Sequence, residues 1–143
     1  MIDAVITRLK DQVAGLGGRV EGAAGFTALM QQNALPQSTP AAHVLPLGLQ
    51  GGAAQSSAGA FTQMFDEALG IVLTVRAHDQ TGAKALEKVS QLIREVIAAL
   101  IGWGPDDEIG VFRLSRGQLV SIRAGALVYQ LDFIITDQLR SMT

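Results

Sequence analysis

The chain has 143 residues, 48% of them hydrophobic, with 11 Lys and Arg against 13 Asp and Glu for a formal charge of −2. One domain fits that length, and the absence of cysteine excludes disulfides, thiolate nucleophiles and cysteine-bound metal. No basic excess is present to hold a phosphate backbone, so sequence-specific nucleic-acid binding is not expected.

Apolar residues Ile2, Val5, Ile6, Leu9, Val13 and Leu16 keep the spacing of one helix face, which predicts a helix over about residues 2–15. Gly15, Gly17 and Gly18 close it. Charges in this first segment also argue against a signal peptide. The longest apolar run, Val96 to Ile101, is far short of the roughly 18 residues of a membrane span. The chain is therefore expected to stay in the cytoplasm where it is made, with no membrane partner.

Residues 19–22 suit a short strand and residues 26–32 a short helical turn. Residues 43–49 read as extended, with Pro46 confining them to a sheet edge or a bulge because proline has no N–H to give. Residues 50–60, rich in Gly, Ala, Gln and Ser, predict a flexible loop. Leu69, Ile71, Leu73 and Val75 then alternate with Gly70, Val72, Thr74 and Arg76 as a strand does.

The strongest helix follows Gly82. Its expected buried stripe is Leu86, Val89, Ile93, Val96, Ile97, Leu100 and Ile101, with Asp79 or Thr81 as its cap. Gly102, Gly104 and Pro105 stop it, and Trp103 plugs the core there. The last third predicts a meander of three strands, residues 111–114, 119–123 and 127–136, joined by residues 115–118 and by a turn around Gly125. In the last strand Leu127, Tyr129, Leu131, Phe133 and Ile135 share one face. The expected fold is α+β, one domain over residues 1–143, in which an antiparallel sheet of about four to five strands carries two helices packed on one face.

From Gly22 to Phe65 there is no Asp, Glu, Lys or Arg, in a chain that is 17% charged overall. Surfaces buried in assemblies lose charge because desolvating an unpaired ion costs several kcal/mol. The stretch reads as a segment covered by neighbouring subunits, or as a mobile low-complexity loop. Apolar residues on both strand faces (Val72 beside Ile71 and Leu73, then Val128 and Ile134) suggest cover by a neighbour or by a folded-back loop.

Candidate chemistry is sparse. The segment from Gly15 to Gly18 follows a helix, whereas a phosphate-binding loop follows a strand. His43 and His78 have no metal-ligand spacing, and adjacent His78 and Asp79 on a strand would point apart. Asp106, Asp107 and Glu108 form the one acidic cluster, which suits a solvated turn. No cofactor, metal site or catalytic residue is expected, and the chain reads as non-enzymatic.

The first helix starting Met1-Ile-Asp3, the strand Ile71-Val-Leu-Thr-Val-Arg-Ala77, the helix opening Gln80-Thr-Gly-Ala-Lys-Ala-Leu86 and the closing segments Arg116-Gly-Gln-Leu119 and Leu127-Val-Tyr-Gln-Leu-Asp-Phe133 together resemble the phage tail terminator family. The resemblance rests on order and texture over most of the chain. It implies a homo-oligomeric ring, a hexamer, on the head-proximal end of the tail tube. Such a ring stops tube growth and offers the head a docking face. The implied partners are the tail tube protein and a head-completion or connector protein, and the implied location is the virion at the head–tail junction, after assembly in the host cytoplasm.

Charge depletion and loop length, with no family motif behind them, nominate Gln50, Gly51, Gly52, Gln55, Ser56, Ser57 and Gly59 for subunit or tube contacts. The meander's Arg113, Arg116 and Arg123 join them, in a region where four arginines face only Asp132 and Asp137. Alternatives are a tail-completion or head–tail connector subunit, a secretion-system or plasmid-encoded assembly protein, and a small ligand-binding or enzymatic α+β domain using the outer sheet face.

Overall fold

The computed structural model describes residues 1–78, 82–105, 110–123 and 125–142. The helix cap sought at Asp79 or Thr81 and the acidic cluster at 106–108 lie outside them. Helix α1 (Ile2–Gln12) buries Val5 and Leu9. It stops earlier than expected because Val13 leaves the helical region, and a single 3-10 turn (Ala14–Leu16) then ends on left-handed Gly17. Strand β1 (Val20–Glu21) and helix α2 (Ala23–Gln31) follow. Next come β2 (Ala41–Ser57), β3 (Ala60–Arg76), α3 (Ala83–Leu100), β4 (Arg113–Arg123) and β5 (Ala126–Met142).

The five strands form one sheet in the order β1-β2-β3-β5-β4. It is antiparallel except for the short β1–β2 pair, which is parallel. The expectation of an antiparallel sheet with two helices on one face therefore needs two amendments, a parallel edge pair and a third helix. Helices α1 and α3 pack on each other and on one face, with α1 over β2 and α3 over β3 and β5. Between them and the sheet lies the core, with Leu9, Leu16, Leu69, Ile71, Leu73, Leu92, Leu100, Leu131, Phe133 and Ile135 all fully buried.

Helix α2 lies across the opposite face. By register His43 sits beside Val72, on the side away from core residues Ala42 and Val44, and its ring meets that of Phe26 in α2 at 5.5 Å. The segment after α2 is held to the same end of the sheet, where Arg76 donates to the Pro36 carbonyl and Arg19 to that of Pro40. Val72 and Thr74 are thereby buried within the chain itself. No neighbour is needed at Val72, whereas Val128 and Ile134 are only partly buried.

Three local expectations are corrected. Residues 50–60 are no loop: residues 50–57 belong to β2, and Ala58 and Gly59 form a two-residue turn into β3. Strand structure there comes from pairing with β3, since strand preference is set by cross-strand neighbours more than by composition. Residues 115–118 are likewise no turn. The two strands expected on either side of them are one, β4, which absorbs Ser115 and Val120 as register shifts against β5. Finally, α3 is rotated relative to the expected stripe: Ala85, Leu92 and Ala99 are buried, while Leu86 and Ile101 are about half exposed. The bulge expected near Pro46 is present, between Pro46 and Gly48.

Element lengths set the shape. Helix α3 has 18 residues, so at about 1.5 Å per residue it spans roughly 27 Å. β3 and β5 have 17 residues each, which at about 3.3 Å per residue approach roughly 55 Å. The helical layer can cover only part of such strands. Burial stops accordingly at Val44 in β2 and resumes only at Leu69 in β3. What remains is a three-stranded arm of β2, β3 and β5, pairing out to Ser57 with Ala60 and Ala60 with Met142.

Candidate assembly interface

The arm is built around the β2–β3 hairpin. Ala58 (φ +50°) and Gly59 (φ +80°) both have positive φ, the pattern of a type I′ turn, whose twist matches that of the flanking strands. Along the arm, Gln50 lies opposite Asp66, Gly51 opposite Phe65, Gln55 opposite Thr62, Ser56 opposite Phe61 and Ser57 opposite Ala60. Gly52 falls in the second register shift, and a side chain there would crowd the Met64 carbonyl at 3.1 Å. Seven of the ten nominated residues are thus gathered on one exposed hairpin.

The arginines are elsewhere. β4 is the opposite edge of the sheet, and Arg113, Arg116 and Arg123 pair in register with Ile134, Asp132 and Ala126, which puts Arg113 and Arg116 on the face away from α1 and α3. Arg113 is the one that reaches the arm. Its guanidinium donates to Thr136 Oγ1 at 2.9 Å and lies 3.4 Å from Asp66 Oδ2, while the Thr136 hydroxyl donates to Asp66 Oδ1 at 2.6 Å. This chain ties β4, β5 and β3 together at the base of the arm, and its exposed ion pair adds little stability. Arg116 bonds Gln118 on its own strand. Arg123 is placed by its backbone only.

Among the described residues, both edges of the sheet are open. β1 pairs β2 only at Ala42 and His43, which leaves the β2 edge from Val44 to Ser57 unpaired and without a single charge. Natural proteins normally blunt such an edge with lysine, proline or a cover. Here only Pro46 and two bulges interrupt it.

A row of apolar residues, missed in the sequence, runs along β4 on the helix side. Leu114, Leu119 and Ile122 pair with Phe133, Tyr129 and Leu127, yet Leu119 is 49% and Ile122 65% exposed, because α3 reaches no further than β5. The extra residues Ser115 and Val120 shift the alternation twice, which hides this row from a period-two reading. Exposed Leu86 with half-buried Ile93 and Ile97 on the flank of α3 away from α1 completes an apolar groove.

One cleft that a different kind of site could use lies beneath α2. It is lined by Lys10, Arg19, Glu21, Gln32, Ser38 and His43 among others. His43 is 3% exposed, with Nε2 3.7 Å from the Glu21 carboxylate and Nδ1 without a hydrogen bond among the described residues. Burial pushes its pKa below the ordinary value, and Glu21 opposes that shift less strongly. The imidazole packs on Phe26 with no hydroxyl bonded to it, so it serves packing better than proton transfer. Among the described residues no three His, Asp or Glu side chains come together as a metal site would need, and no helix is long and apolar enough to cross a membrane.

Comparison with known proteins agrees with this architecture. A solved structure described as the virion of a native gene transfer agent particle contains a chain with the same fold, at a TM-score of 0.52 and 17% identity, covering 94% of this chain and 92% of that one. No match arises among curated proteins. The family model described as "Phage tail terminator protein" matches residues 2–143. The chain therefore belongs to the phage tail terminator family, structural proteins of the phage tail and virion.

Proposed function

We propose that this protein is a non-enzymatic ring subunit that caps the head-proximal end of the tail tube, stops the tube from growing and gives the head its docking surface. The observation that carries this reading is a sheet open at both edges, with the uncharged β2 edge on one side and the apolar row of β4 on the other. Unlike surfaces at opposite edges associate head to tail, and head-to-tail contacts close into a ring when the rotation permits. Family membership supplies the tail as the setting. The partners are copies of the chain, the tube protein and a head-completion or connector protein. Residues 50–59 and the arginines Arg113, Arg116 and Arg123 are the contact residues put forward.

The test is light scattering on the purified protein, with tube growth followed in parallel. The proposal expects a closed oligomer, a hexamer, whether alone or on tubes, and arrested elongation when the protein is added to growing tubes. A strict monomer at high concentration that leaves tube length unchanged would overturn it. A connector subunit would instead bind the head-side partner and not the tube.

A further inference from the structure

The β4 row and the flank of α3 form an apolar groove, and none of the described residues lies over it. On β4 the described charges Arg113 and Arg116 lie on the other face, while Leu114, Gly117, Leu119 and Ile122 line the groove. The flank of α3 is also uncharged, running through Leu86, Ser90, Ile93 and Ile97 at helical spacing.

The outer part of the arm has a matching surface. Its helix-side face carries Ala54, Ser56, Phe61, Gln63, Leu139 and Ser141 by register, again without a charge, and Leu139 is 49% exposed. Glu67 and Asp137, on the same side by register, separate this tip surface from the core stripe of β3 and β5. Arm and groove lie on the same side of the sheet but toward opposite edges, so one copy cannot bring its own two surfaces together. A second copy can, and if only the tip beyond Asp137 is seated no ion is desolvated on either side. A partner with a charged contact surface would find no counter-ion in this groove. That absence favours a second copy over a charged tube or head protein.

We infer that the arm tip of one copy seats, helix-side face down, in the α3–β4 groove of the next copy, so that each subunit covers its neighbour's exposed Leu86, Leu119 and Ile122. This rests on the ring reading above and identifies its contact. The association is heterologous, tip into groove, and repeats around the assembly.

The cysteine-free chain allows a direct test with two single-cysteine proteins, Ser56→Cys on the tip and Leu119→Cys in the groove, both at exposed positions. Treated with a short bis-maleimide, a mixture of the two is expected to yield a covalent dimer holding one chain of each kind. The double variant is expected to yield a ladder ending at the ring size, and neither single variant links to itself. A ring that forms without the mixed dimer overturns this inference and leaves the ring reading standing. Tip-to-tip dimers of Ser56→Cys, or Leu119→Cys linked only to tube protein, also overturn it. Absence of both ring and cross-link overturns the two readings together. As a second check, Ile122→Asp is expected to raise the concentration for half-assembly at least tenfold with an unchanged melting temperature, and unaltered assembly would count against the groove.

Discussion

At His43, burial outweighs the pull of Glu21 and keeps the imidazole neutral in the folded chain, with a pKa below its ordinary 6.5. The unfolded chain takes up a proton near that ordinary value. As pH falls through it, the unfolded state binds a proton that the folded state refuses, and stability drops until the lowered folded pKa is reached. Melting temperature should therefore decline between about pH 7 and pH 5.5, and His43→Leu should flatten that decline. An equal slope in both proteins would remove His43 as its source. Ala58 is a strained position, because a left-handed conformation costs an L-residue about 1–2 kcal/mol and its φ is +50°. Ala58→Asn, which supplies the Asn-Gly pair that a type I′ turn favours, should slow amide exchange at residues 55–62 and raise stability by about 0.5–1 kcal/mol. In the core, Phe133 is fully buried, and Phe133→Ala should cost about 3–5 kcal/mol in urea unfolding. A loss under about 1 kcal/mol would mean that the packing at this layer is looser than described.

At the scale of elements, the helices and the strands under them were legible in the sequence because burial stamps a period on it. Val5 and Leu9 at helical spacing, and Leu69 to Val75 and Leu127 to Ile135 in alternation, all face the core. The arm was not legible, because residues 50–57 touch no core and owe their extended form to the hydrogen bonds of β3. β4 was read as two strands because Ser115 and Val120 break its alternation at two bulges. α2 stayed faint because it is short and buries no residue fully. An arm that lies outside the core should be separable from the fold. Replacing residues 51–65 by Asn-Gly, which joins the paired Gln50 and Asp66, should leave a cooperatively folded domain melting within about 5 °C of the parent, a shift worth about 1 kcal/mol at this size. The same protein should fail to assemble. Loss of cooperative unfolding would put the arm inside the folding unit, and normal assembly would take it out of the interface.

For the whole molecule, the sequence exposed the more unusual half of the candidate site, the charge-free stretch, and missed the other half. Residues 50–59 stand out by composition alone. Leu119 and Ile122 look like any core strand residue until the reach of α3 is known, Arg116 proves to lie on the other face, and Arg116 and Arg123 both belong to the far edge strand. The proposed ring would reconcile these observations, since the arm at one edge and the groove at the other would each be completed by an adjoining copy. Cryo-electron microscopy of tail tubes grown with this protein present examines that most directly. The account predicts one closed ring at a single end of each tube, with every arm laid over the adjacent α3 and β4. Tubes bare at both ends, or protein scattered along their sides as separate monomers, would contradict it.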